Sequence, residues 1–597
     1  MTMHHARKSA AKTRSQETGE SRRSATAVVR QDRITSRNLV TPKRYVLAGF
    51  SGRYPGVRRD EQWLVDVFDA TEGNGLPRGL APFKAPAHSW EAFVQAELNG
   101  HSAPLDPVGE AVPLRDYQEP EVGRPAMALR VGAPGYLWAY PTGSGKTAMA
   151  VRAVCGLSPR RGRKILVITR LSVIPAWQSA IKTFATDSHR WVVINPERLW
   201  RVMRHPRARV HRMPVDAAAR LLTQEGISRC DWDAIVVDEC HMLANAESQR
   251  AQMVRRLAER SDASRAFTLW ASATPFTTPQ ESAYLADLIA FAAKTDPPAD
   301  LGDYRIWLKG LGLKLNSDER GRWYHRINRL DVTELRALLY EAGVGAAATA
   351  MDLGLPAQER EVVAITLSAS DRVEYDKAWE EFRRSQGLEV LQGSEPGSYR
   401  VEALRKVQKA SRLKAPYVAR LVVEQVARGF QVVVPMWFVE SIDETAVCIF
   451  RELKAAGLDS RVVAITGRDA HLREAKRVAF QTGQAKVMVL NALEGINAQA
   501  GEANTDGKGT PATSTPRVCV IADVLTGGKR CLQAEGRTQR DGQRAPVIYA
   551  YAAATGEQEW MAATFRSLSN TLSLNTNDAD AAMFDYLAHQ IASRDGV

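Results

Sequence analysis

The stretch Pro141-Thr-Gly-Ser-Gly-Lys-Thr147 lies between a short apolar run, Tyr136 to Ala139, and a helix-forming run, Ala148 to Val154. A buried strand that breaks into a glycine-rich turn and then a helix is suited to holding phosphate. Glycines let backbone N–H groups curl around the oxygens, and the helix N-terminus adds its positive dipole end. Thr142, Gly143, Ser144, Gly145, Lys146 and Thr147 are therefore candidate nucleotide-binding residues. In this pattern Lys146 neutralises the β- and γ-phosphates and Thr147 offers its hydroxyl to Mg²⁺. The strict pattern asks for glycine where Tyr140 stands, so only the relaxed form is met.

Working outward, short and nearly continuous apolar runs alternate with helical patterns, as expected of parallel strands buried on both faces. One set is Tyr136 to Ala139, Ile165 to Thr169, Trp191 to Ile194, Ala234 to Val237 and Phe267 to Ala271. A second is Val432 to Phe438, Val462 to Thr466, Val487 to Asn491, Val518 to Ala522 and Val547 to Tyr551. Two α/β lobes in tandem follow. The expected layout is a basic disordered tail (1–45), an accessory segment (46–110), lobe one (111–290), a helical insertion (291–360), lobe two (361–575) and a C-terminal tail (576–597). Core packing is the reading preferred over base stacking for the aromatics between Tyr304 and Tyr340. Gly393 to Ser398 and Gly501 to Pro516 read as loops, the second as an insertion between strands. No solenoid-period repeat is present.

Ala234-Ile-Val-Val-Asp-Glu-Cys-His241 ends an apolar strand in adjacent carboxylates. Successive strand side chains point apart, so Asp238 can hold the Mg²⁺ shell while Glu239 orients an attacking water. Cys240 and His241 have no further ligands clustered nearby, which favours coupling to neighbouring motifs over a metal site.

Together these residues resemble a superfamily-two helicase or translocase, with Pro141 to Thr147 as motif I and Asp238 to His241 as motif II. Other motifs follow in the family's order. Leu114-Arg-Asp-Tyr-Gln118 resembles the Q motif, which implies adenine reading by Gln118. Ile165 to Trp177 and Val192 to Leu199 resemble the backbone-contacting motifs Ia and Ib, and Ser272-Ala-Thr274 resembles motif III. In the second set, Val432 to Phe438 resembles motif IV, Glu494-Gly-Ile-Asn-Ala-Gln-Ala500 motif V, and Gln533-Ala-Glu-Gly-Arg-Thr-Gln-Arg-Asp-Gly-Gln543 motif VI. The resemblance implies two RecA-like lobes, ATP with Mg²⁺, Arg537 and Arg540 as candidate arginine fingers, and Gln533 as a nucleotide contact. Such fingers are worth roughly 10³ to 10⁵ in rate in other NTPases. The ending Gly-Arg-x-x-Arg-x-Gly-Gln and the run Tyr399 to Lys414 look like Swi/Snf-type DNA translocases. Gly556-Glu-Gln-Glu-Trp560 and Arg566-Ser-Leu-Ser569 are similar to strawberry-notch-type helicases. The expected activity is a nucleic-acid-stimulated ATPase acting on DNA. The alternatives are a DExH-type RNA helicase and a non-translocating ATP-gated clamp. Tyr140 and the Gly501 to Pro516 insertion depart from the family pattern.

The rest of the composition narrows the class. The 597 residues are 45% hydrophobic and 25% charged, which excludes collagen-like, fully disordered and disulfide-scaffold chains. No apolar run approaches the roughly 18 residues of a membrane span. Cys155, Cys230, Cys240, Cys448, Cys519 and Cys531 form no C-x-x-C pair, so reduced thiols in a cytosol, bacterial or phage-type host, are expected. Net charge is +13, and residues 1–45 carry eleven Lys/Arg against Glu17, Glu20 and Asp32. Such a tail attracts polyanions through counterion release; a solvated leader and a nucleic-acid-binding arm both fit it.

Overall fold

The computed structural model describes residues 63–64, 112–157, 162–204, 213–214, 227–228, 231–260, 264–313, 316–317, 323–324, 334–350, 352–354, 358–378, 380, 396–458, 460–466, 472–491, 498, 515–523, 528–538, 545, 547–554, 557–575 and 578–593. The basic tail, nearly all of the accessory segment, Arg540 and motif V apart from Ala498 lie outside them.

Lobe one is a six-stranded sheet of β1 (Gly135–Ala139), β2 (Lys164–Ile168), β3 (Arg190–Ile194), β4 (Ala234–Asp238), β5 (Phe267–Ser272) and β6 (Gly345–Ala347), in the order β6-β1-β5-β4-β2-β3. Every pairing is parallel. All residues of β1, β4 and β5 are buried, so helices cover both faces. The helices are α1 (Glu119–Arg130), α2 (Lys146–Gly156), α3 (Ile174–Phe184), α4 (Gln249–Leu257), α5 (Ala286–Ala293) and α6 (Tyr304–Gly310).

The stretch read as an inter-lobe insertion is built into lobe one's core. Leu301, Tyr304, Leu308, Leu335, Leu339 and Val344 are buried in the same cluster as Trp138 and Val236. Tyr304 stacks on Trp307 at 5.5 Å and its hydroxyl meets Ser282 Oγ at 2.7 Å, so this aromatic is a packing residue. The stretch ends as β6, with Gly345 opposite Leu137. A Cβ at Gly345 would lie 3.1 Å from the carbonyls of Leu137 and Leu339, which explains glycine at this close approach.

Lobe two repeats the plan with β7 (Gln358–Ile365), β8 (Gln431–Met436), β9 (Arg461–Ile465), β10 (Ala485–Asn491), β11 (Arg517–Ile521) and β12 (Val547–Ala554), ordered β7-β12-β11-β8-β10-β9 and parallel throughout. Its helices are α7 (Pro396–Ala427), α8 (Val439–Ala455), α9 (Arg473–Gln481), α10 (Gly528–Glu535), α11 (Gln558–Leu574) and α12 (Asp578–Ser593). Helix α7 begins at Pro396, inside the loop expected over Gly393 to Ser398; proline suits a first helical turn because its missing N–H is not needed there. The expected C-terminal tail is mostly α12, whose Phe584, Ala588 and Ile591 pack into lobe two. The molecule is thus two RecA-like lobes in tandem, with the phosphate loop at the carboxyl end of β1.

Candidate functional site

Two left-handed glycines shape the phosphate loop: Gly143 (φ 84°) and Gly145 (φ 74°), the latter capping α2. Lys146 is buried in the first turn of α2, its Nζ donating to the carbonyls of Tyr140 and Pro141 at 2.9 Å each. Ser144 Oγ is buried without a hydrogen-bond partner among the described residues. Curled backbone amides, an ammonium and an orphaned hydroxyl form a donor set that fits a polyphosphate. The Thr147 hydroxyl and the Asp238 carboxylate are oxygen ligands of the kind Mg²⁺ takes.

Tyr140, which stands where the strict pattern has glycine, turns its ring into the core. It stacks on Trp138 at 6.3 Å, and its hydroxyl donates to the Glu121 carboxylate. Its backbone carbonyl still serves the loop, so the departure from pattern leaves the cradle intact. Gln118 presses on the same loop: Nε2 donates to Ser144 O at 3.0 Å and Oε1 accepts from Arg115 N at 3.0 Å. A Cβ at Gly145 would fall 2.2 Å from that Nε2. The residue expected to read adenine thus braces the phosphate loop, and Tyr117 OH shares the work by donating to Ser144 O at 3.1 Å.

Asp238 ends β4 fully inside the cleft. Its Oδ2 accepts from Thr169 Oγ1 at 2.9 Å and Trp177 Nε1 at 2.8 Å. Both donors come from the stretch expected to touch nucleic-acid backbone, and their role as orienters of Asp238 was not visible in the sequence. Burial, with the neighbouring Glu239 charge, raises the Asp238 pKa against these hydrogen bonds and Lys146.

Glu239 leaves the strand in a left-handed conformation, φ 51° and ψ 49°. That geometry costs a non-glycine residue about 1 to 3 kcal/mol. It brings the carboxylate to His241 Nδ1 at 3.2 Å. Burial works to raise its pKa, but the His241 hydrogen bond and the Lys146 and Arg170 cations win and hold it well below the usual carboxylate range. The ionised form of Glu239 is therefore favoured.

His241 joins four motifs. Nδ1 lies 2.9 Å from Ser272 Oγ, which also accepts from Thr274 N; Nε2 lies 3.2 Å from Arg170 Nη2 and 2.8 Å from Gln533 Nε2. A guanidinium only donates, so Nε2 is the acceptor and the ring proton sits on Nδ1, facing Glu239 and Ser272. Gln533, expected as a nucleotide contact, spends its amide on His241 across the cleft. Among the described residues no cluster of three or more His, Cys, Asp or Glu could hold a metal.

Lobe two meets the phosphate loop at Gly536. A Cβ there would fall 1.9 Å from Thr142 Oγ1 and 2.4 Å from Thr142 Cβ. Arg537 follows, buried at 6% exposure, and its carbonyl accepts from Ala498 N at 2.9 Å. Motifs I, II, III and VI thus converge on one cleft.

Residues 111–277 match the family model described as type III restriction enzyme, res subunit. The match spans Gln118, the phosphate loop, Asp238–Glu239 and Ser272–Thr274, and supports a helicase-type ATPase domain of superfamily two. No curated protein matches the chain. Solved structures similar to it include the Sulfolobus solfataricus SWI2/SNF2 ATPase core in complex with dsDNA, at 14% identity and a TM-score of 0.31, covering 82% of this chain and 98% of that one. Another is the Pyrococcus furiosus Hef helicase domain, at 14% identity and a TM-score of 0.37, covering 74% and 95%.

Proposed function

We propose that this protein is an ATP- and Mg²⁺-dependent motor that moves along duplex DNA. The observation that carries the reading is the convergence of Lys146, Asp238, Glu239 and the Gly536–Arg537 turn of the opposite lobe on one cleft. Lys146 and the loop amides bind the phosphates, and Thr147 with Asp238 would hold Mg²⁺, which supplies charge neutralisation at the phosphates. Glu239 orients water, and His241 keeps Glu239 in place. Arg537 approaches from lobe two to stabilise charge developing on the transferred phosphoryl group; Arg540, outside the described residues, is the second candidate for that role by its place in the motif. Because arginine and lysine sit on different lobes, turnover is tied to cleft closure and opening.

Duplex DNA is the favoured track because the motif VI ending and the stretch Tyr399 to Lys414 resemble those of Swi/Snf-type DNA translocases. Strand contact through backbone phosphates would make movement independent of sequence. Scattered cysteines with no C-x-x-C pair are in keeping with a reducing, cytosol-like compartment, the setting of this reading.

Lys146→Ala and Glu239→Gln should each lower nucleic-acid-stimulated ATP hydrolysis by about a hundredfold or more while the melting temperature holds. Wild-type turnover in either purified variant would sink the site assignment. Triplex displacement separates motor from clamp, since a clamp hydrolyses ATP without displacing the third strand.

A further inference from the structure

Helices α11 and α12 form a C-terminal hairpin seated on lobe two through Phe565, Leu568, Phe584 and Ala588. Its tip crosses to lobe one. Leu574 is fully buried in lobe one's core. Asn575, 6% exposed, donates from Nδ2 to the carbonyl of Phe276 at 3.3 Å, and its Oδ1 accepts from Tyr340 OH at 3.4 Å. Asp578 accepts from both terminal nitrogens of Arg336 at 3.1 Å. Phe276 lies two residues beyond Thr274, in the loop that follows β5, whose last residue Ser272 meets His241.

The other end of this arrangement reaches motif VI. Asp580 Oδ1 lies 3.5 Å from Arg360 Nη1, and the buried Arg360 guanidinium grips both oxygens of Glu535 at 2.9 Å. Tyr551 OH donates to Glu535 Oε1 at 2.7 Å, and the Phe584 ring lies 4.9 Å from the guanidinium carbon. Glu535 immediately precedes Gly536 and Arg537. A buried, bidentate and stacked arginine has few alternative geometries, so this network fixes the motif VI turn with respect to the hairpin.

We propose that Asn575 and the Arg336–Asp578 pair are positioning residues: by anchoring the hairpin tip to lobe one they set, through Asp580, Arg360 and Glu535, where Arg537 stands relative to Lys146. None of them belongs to a motif of the phosphate cleft. The proposal rests on the ATPase reading for its kinetic consequence, but not for the attachment itself. The hairpin is a link between lobes outside the phosphate cleft, in addition to the chain crossing after β6, so cleft opening must strain or release the tip.

The test exchanges the surface pair, which carries little risk to folding. Arg336→Asp, Asp578→Arg and the exchanged double variant are compared, with Asn575→Asp as a buried probe. Interlobe distance distributions are read from spin labels on Val131→Cys in lobe one and Val373→Cys in lobe two, both exposed in the parent chain. Each single variant should broaden the distribution and lower stimulated kcat about tenfold, since small misplacements of a catalytic group cost that much or more. The KM for ATP should change less than about twofold, because none of these residues is a phosphate-loop group. The exchanged pair should restore both readouts. Wild-type distances and kcat in the single variants, or an exchanged pair no better than they are, would overturn the proposal. Were the wild-type protein to hydrolyse no ATP, the ATPase reading would fail, while the distances, which need no turnover, would still confirm or refute the attachment.

Discussion

Gly536 has no room for a side chain. Thr142 Oγ1, Cβ and Cγ2 stand 1.9, 2.4 and 2.9 Å from the place a Cβ would occupy, and all belong to a short branched residue on the phosphate loop. Gly536→Ala must therefore hold the two lobes apart at the point where motif VI meets motif I. Stimulated ATP turnover should fall by about tenfold or more, in line with the cost of misplacing a catalytic group. Thr142→Gly in the same chain should recover part of it; turnover at wild-type level in Gly536→Ala alone would show that the lobes need not approach this closely. Sequence reading found Gly536 only as a letter of a motif. The reason for glycine is a contact between residues nearly four hundred positions apart, which no local pattern encodes. The same limit hid Trp177 and Thr169, whose bonds to Asp238 depend on sheet order, whereas Lys146, Asp238 and Glu239 were legible because strand, turn and helix signals surround them in the chain itself.

At the scale of elements, strands that are nearly continuous apolar runs were readable and strands poor in large apolar residues were not. β1, β2, β3, β4 and β5, and likewise β8 to β12, are nearly continuous apolar runs. β6, Gly-Ala-Ala, has too little apolar surface to register, and β7 alternates half-buried with exposed residues over Gln358–Val362; each stands at one outer edge of its sheet. Missing β6 is what turned the end of lobe one into an apparent insertion. His189, immediately before β3, carries an element-scale prediction. It is 6% exposed and neither ring nitrogen has a hydrogen-bond partner among the described residues. Burial first, and then the Arg163 charge, lower its pKa below 6.5. The unfolded chain therefore takes up a proton as pH falls through that value while the folded ring resists it, so stability is lost on acidification. Melting temperature should drop between about pH 7.5 and pH 5.5, and His189→Phe should shrink that drop. An unchanged pH slope in the variant would remove His189 as its source.

Across the whole molecule, the interlobe contacts that assemble the cleft among the described residues include Gln533 on His241, Gly536 on Thr142, and the hairpin tip on Phe276, Tyr340 and Arg336. The first two link phosphate-handling motifs directly, and the third sets their spacing from outside the cleft. A molecule so joined should move its lobes together when nucleotide binds and should pass that movement to whatever polyanion lies across both lobes. Its net charge of +13 favours such a partner, and phosphate contacts make the association salt-dependent. The most direct test is steady-state ATP hydrolysis by the purified full chain with no nucleic acid, with duplex DNA, with single-stranded DNA and with RNA, each at low and high salt. The account predicts strong stimulation by duplex DNA that weakens as salt rises. Stimulation by RNA or single strands alone would contradict the duplex-DNA reading, and the absence of hydrolysis under every condition would contradict the motor itself.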